Sequence, residues 1–175
     1  HLLGFGAGDG FDTENDNLAI GYDALGGSVA GGEYNVAIGN YSLDALTSGD
    51  NNTAVGYNAA TALTTGSENT IMGESAGTAI TIGDHNVLIG NHAGDAIVVE
   101  RRNVAVGNNA LNAHRTTAST VNDTGNTAVG FYAGATITTG SGNTAIGQNA
   151  FATRLTTGSN NVGIGTGVNM NSNSN

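Results

Sequence analysis

The phrase "NNTAVGYNAATALTTGS" (residues 51–67) returns with small changes along almost the whole chain. Aligned on the Gly that closes N-x-A-[IV]-G or a close variant, the copies end at Gly21, Gly39, Gly56, Gly73, Gly90, Gly107, Gly130, Gly147 and Gly165. The intervals are 18, 17, 17, 17, 17, 23, 17 and 18 residues. An Asn stands four residues before each Gly, from Asn17 through Asn52 and Asn126 to Asn161. A further copy opens the chain, with Gly4 seventeen residues before Gly21 and its Asn missing. A start in mid-repeat, at His1 rather than Met, is expected of a fragment or processed product. A period this short is the mark of stacked supersecondary units, none of which buries its apolar face alone.

Each copy reads as one rung. "NTAVG" alternates and is rich in β-branched residues, which predicts a short strand. "YNAA" and its equivalents read as a turn. "ALTTG" predicts a second short strand, with Leu46, Leu63, Ile80, Ile97 and Ile137 in register. No segment has the length or 3.6-residue period of a helix, and there is no Pro to interrupt a ladder. The expected fold is all-β, a parallel β-solenoid of about ten 17-residue rungs over residues 1–168, with a polar tail at 169–175. Rungs stacked at about 4.8 Å make a rod on the order of 50 Å long.

The columns have separate physical reasons. Stacked Asn side chains can hydrogen-bond along the axis, and a Gly column implies positive φ or close backbone approach. Within the strand, the positions one and three before the Gly share a face. They read Ile20, Ile38, Val55, Met72, Ile89 and Leu18, Val36, Thr53, Thr70, Val87 along the first rungs, and predict the interior. The position between them then points outward: Ala19, Ala37, Ala54, Ile71, Leu88, Ala105, Ala128 and Ala145. An outward apolar stripe on a narrow rod predicts that chains pack side by side through these residues.

Composition removes several function classes. The net charge is −10 and the only basic residues are Arg101, Arg102, Arg115 and Arg154, which is no footprint for nucleic acid. No apolar run approaches the roughly 18 residues of a membrane-spanning helix. With no Cys there are no disulfides and no thiolate metal sites. The glycine spacing matches neither a dinucleotide nor a P-loop pattern.

"NNTAVG", "NVAIG" and "GNTAIG" resemble the head repeats of trimeric autotransporter adhesins, and the longer phrase resembles repeats in phage tail fibres. The resemblance covers nearly the entire chain. It implies a left-handed β-roll, a homotrimer, and an extracellular place on a cell surface or virion tail. The implied function is a structural and adhesive rod that presents loops to host-surface glycans or proteins. A self-assembling extracellular filament subunit is the alternative. Ice binding through a Thr47, Thr64, Thr81, Val98, Thr138, Thr156 column and glycan cleavage by a tailspike are weaker ones. Cleavage would need two carboxylates held in a cleft, whereas the acidic residues are scattered one or two per rung. No catalytic residues are expected.

Departures from the repeat are the candidate sites, because insertions fall on surface loops. The 23-residue interval adds six residues and contains His114 and Arg115. "VVERR" just before it adds Arg101 and Arg102. These four are receptor-contact candidates, and a tolerated loop beside a solvated Glu–Arg cluster is the plain alternative. Tyr57, Phe131 and Tyr132 belong to aromatics clustered just after the Gly, suited to stacking on sugars or to covering the roll's edge. No cofactor is expected. Asp9, Asp12, Glu14 and Asp16 form an acidic turn whose oxygens could hold Ca²⁺, although its spacing is not that of an EF-hand.

Overall fold

The computed structural model describes residues 2–8, 16–116, 122–153 and 155–169. The chain is an all-β parallel solenoid with no helix among the described residues. Its strands are β1 (Leu2–Leu3), β2 (Leu18–Ile20), β3 (Val36–Ile38), β4 (Thr53–Val55), β5 (Thr70–Met72), β6 (Val87–Ile89), β7 (Glu100–Arg101), β8 (Val104–Val106), β9 (Asn122–Asp123), β10 (Thr127–Val129), β11 (Thr144–Ile146) and β12 (Val162–Ile164). Ten of these form one parallel sheet in chain order, each pairing with the equivalent residues of the next rung. Strands β7 and β9 pair separately, with Glu100 opposite Asn122 and Arg101 opposite Asp123.

The Asn column works as a continuous ladder. Asn52 donates its backbone N–H and its Nδ2 to Asn35 Oδ1 at 2.9 and 3.1 Å, and Nδ2 also reaches Gly66 O at 2.9 Å. Asn69 repeats the pattern on Asn52, and Asn86 on Asn69. Each buried amide thereby satisfies backbone groups that a turn leaves open, as buried polar groups require. The closing Gly column is fixed twice over. Gly56 has φ +140°, and a Cβ there would lie 2.4 Å from Gly73 O in the next rung.

Two expectations are overturned. The Ala column faces inward: Ala19, Ala37, Ala54, Leu88, Ala105, Ala128 and Ala145 are fully buried within the single chain, and Ile71 is 1% exposed. They are the solenoid's own core and cannot join neighbouring chains. The flanking columns face outward, from Leu18 and Ile20 to Val162 and Ile164. Interior width decides this. Val29, Leu46, Leu63, Ile80 and Ile97 already fill the centre of each rung, so the facing strand has room for little more than a methyl group. The two large exceptions are compensated. Where Ile71 and Leu88 enter the column, the turn carries Gly77 and Gly94 in place of the Leu43 or Ala60 of other rungs. A Cβ on Gly94 would stand 2.7 Å from Leu88 Cδ2. At the other end, Gly163 replaces Ala because the Phe151 ring fills its place. In these three places a large side chain on one side is met by a glycine on the other.

The second strand does not form either. Leu46, Leu63, Ile80, Ile97 and Ile137 are in register and buried, but the segment after them is a bend. Thr64 N reaches Thr81 O at 2.8 Å and Thr65 N reaches the same carbonyl at 3.4 Å, so one rung-to-rung acceptor serves two donors and the ladder goes no further.

Candidate functional site

The structure separates the receptor-contact candidates. Arg101 and Arg102 precede the Asn that opens a strand, whereas Tyr57, Phe131 and Tyr132 follow the Gly that closes one. Arg102 and Arg115 are exposed. Arg102 pairs with Asp123 across the long rung. The Arg101 guanidinium stands 3.8 Å from Asp84, partly covered. The three aromatics are exposed, and Phe131 packs edge-to-face on Tyr132 with centroids 4.6 Å apart.

His114 is no surface residue. It occupies the column of Leu63, Ile80, Ile97 and Ile137 and is fully buried. Asn126 Nδ2 donates to Gly140 O at 2.8 Å and approaches His114 Nε2 at 3.3 Å. An amide nitrogen can only donate, so this contact makes Nε2 the acceptor and assigns the ring proton to Nδ1, a buried atom that makes no hydrogen bond of ordinary geometry. Burial pushes the imidazole below its usual range, while the Glu100 charge and the Ile137 and Thr138 carbonyls pull the other way.

Beside it lies a feature the sequence reading overlooked. Glu100 stands in the Gly32, Gly49, Gly66, Gly83 column and is fully buried. In the regular rungs a Cβ at this column is blocked: on Gly66 it would meet Gly83 O at 2.1 Å. Glu100 fits because the following rung is the long one, where Asn122 rather than a Gly carbonyl lies opposite. Its Oε2 accepts Val98 N at 2.7 Å and Val99 N at 3.0 Å. Its Oε1 accepts the Thr116 backbone N–H, and the Thr116 hydroxyl at 2.8 Å. Burial raises the carboxyl, but these donors outweigh it and hold Glu100 below its ordinary value. The signal was present: three residues before each Asn, Glu100 is the first non-glycine after four glycines.

The remaining candidates can be placed in part. Asp9, Asp12 and Glu14 lie outside the described residues, and Asp16 is an exposed turn residue with φ 65°. Among the described residues no three His, Asp or Glu side chains gather as metal ligands. The Thr column spends its hydroxyls on the backbone: Thr47, Thr64 and Thr81 donate to the next rung's carbonyl at 3.0, 3.0 and 3.1 Å. Comparison with protein-family models, with curated proteins and with solved structures returned no match to this chain.

Proposed function

We propose that the chain is a self-associating rod segment of an extracellular attachment fibre, of the adhesin or tail-fibre kind its repeats resemble. The observation that carries this is the outward face of the ten-stranded sheet. It presents two columns without a charged residue, from Leu18 and Ile20 through Thr70 and Met72 to Val162 and Ile164. The face is in register from rung to rung and about 40 Å long at the usual rung spacing. A band of that kind is the surface on which chains associate. Three chains is the number the resemblance implies. The turns that bear the aromatics and arginines lie beyond the strand ends and stay available for contact with a host surface. The reading assigns no catalytic role and no membrane insertion to this segment.

The chain has no native Cys, so a single introduced thiol reports the packing. Val55→Cys, on the outward face, is expected to give disulfide-linked chains on mild oxidation. Thr65→Cys, exposed at the bend, is expected to give none at the same concentration. Equal cross-linking of the two, or none for Val55→Cys, would remove the support for this face as the contact.

A further inference from the structure

The position after the closing Gly is a turn position that every rung presents along one line of the rod. In four rungs it holds Phe5, Tyr22, Tyr57 and Phe131, which are 78%, 42%, 51% and 48% exposed. In the others it holds Asn40, Glu74, Asn91, Asn108, Gln148 and Thr166. No aliphatic or basic side chain occurs in this column, although the position two residues further on is almost entirely Ala. With Tyr41 and Tyr132 one place later, six of the nine aromatics gather at these two positions.

The rings form a run. Phe5 stacks on Tyr22 at 5.7 Å, Tyr22 meets Tyr41 edge-on at 5.4 Å, and Tyr41 meets Tyr57 at 6.0 Å. The amides continue the line. Asn91 Nδ2 donates to Glu74 Oε2 at 2.8 Å, and Asn108 Nδ2 to Asn91 Oδ1 at 2.8 Å. Phe131 and Tyr132 resume the aromatic character after them. The line therefore runs from rings, bridged at Asn40 by the adjacent Tyr41, through Glu74 and its amide neighbours, and back to a ring at Phe131.

We propose that this line is a binding track for a linear, uncharged polysaccharide lying parallel to the rod axis. Ring faces and edges meet the C–H faces of pyranoses, and ordered amides and a carboxylate pair with their hydroxyls. The rung repeat brings one such group to each successive sugar of an extended chain. The absence of basic residues on the line, with Glu74 on it and a net charge of −10, disfavours acidic polymers. Each contact is weak and exposed, so binding grows with the number of rungs engaged. The inference rests on reading the rod as an attachment device and names what it attaches to.

Affinity gel electrophoresis with hydroxyethyl cellulose, a soluble mannan and alginate tests it. The wild-type chain should be retarded by one or both neutral polymers and not by alginate, and oligosaccharides of four to six units should compete at least ten-fold less well than the polymer. The Tyr22→Ser/Tyr57→Ser double variant should weaken retardation at least ten-fold with an unchanged β spectrum. If the double variant loses that spectrum, Asn91→Ala is used instead, with a smaller loss of two-fold or more expected. No retardation by either neutral polymer, equal retardation by alginate, or retardation indifferent to these substitutions would overturn the track. Sedimentation of the same samples separates the two readings. An assembled rod that binds nothing removes the track alone, and a monomer that binds removes self-association alone.

Discussion

The regular rungs between Gly39 and Gly90 and the long rung between Gly107 and Gly130 solve one problem in opposite ways. In the regular rungs a small residue stands wherever two backbones stack, and a Leu or Ile fills the middle. Gly66 lies against Gly83 O, and Leu63 and Ile80 fill the centre. Against the long rung Glu100, in the turn just before Gly107, takes the glycine's place, and within the long rung His114 takes the leucine's; both are buried. Asn122 lies opposite Glu100, and the carboxylate receives the backbone N–H groups of Val98, Val99 and Thr116. The Asn ladder bends to match. Thr124 Oγ1 and Asn126 N donate to Asn103 Oδ1, and Asn126 Nδ2 turns to His114. Insertion, Glu100 and His114 are thus one unit, and a repeat protein absorbs an irregular rung only when its interior changes with it.

The largest expected effect comes from breaking that unit. Removing residues 117–122 restores the 17-residue interval but drives Glu100 toward a stacked backbone. We expect the deletion alone to cost more than about 4 kcal/mol, in the range that marks a buried charge or overpacked core. The same deletion combined with Glu100→Gly, Asp123→Gly and His114→Leu should recover most of the loss in urea unfolding. If the bare deletion is as stable as the wild type, the coupling is wrong. A smaller effect is expected for Glu100→Gln in the full-length chain. It keeps the shape but substitutes a donor for one acceptor oxygen, so about 1–3 kcal/mol should be lost at pH 7. Asp50→Asn, on a partly exposed turn of a regular rung, should cost less than about 0.5 kcal/mol.

The smallest effect is the pH dependence. Both buried groups titrate below their ordinary values in the folded chain. The unfolded chain therefore binds protons first on acidification, and stability falls with pH. The His114 contribution is present above about pH 6.5 and is lost below it, and that of Glu100 is lost below about pH 4.5. The charged group facing His114 is Glu100. Thr116 and the Val98 and Val99 amides face Glu100 in turn. His114→Leu should be nearly neutral at pH 7 and should flatten the thermal-unfolding midpoint between pH 6.5 and 5 relative to wild type. An unchanged slope would place the titration elsewhere.

The period, the Asn ladder and the closing Gly were legible in the sequence because each depends on one residue type in one column. The direction of the strand was not. Alternation separates Ala54 from Thr53 and Val55, but it does not say which side is inside when both are apolar, and a one-residue error turns every side chain over. Size decided it, through a centre already filled by Leu46 and Leu63, which becomes visible only when the bend after them closes the rung. The exchange of Gly94 for bulk opposite Leu88 was likewise hidden, because it links positions six residues apart through space. The roles of Glu100 and His114 could be read from the column alignment, yet a run of charged residues beside an insertion suggests a surface patch before it suggests a core.

Neighbouring residues of one strand put the account to its most direct test. Leu88 points into the chain's own core and Ile89 points out onto the sheet face. Sedimentation equilibrium with circular dichroism on Leu88→Asp, Ile89→Asp and wild type distinguishes the two faces. The account predicts an assembled wild type, at three times the 17.3 kDa chain mass. Leu88→Asp should lose the β spectrum itself, since it buries a charge inside one chain. Ile89→Asp should keep the β spectrum while its mass falls toward that of one chain. A monomeric wild type would contradict the account, as would a Leu88→Asp variant that dissociates while staying folded.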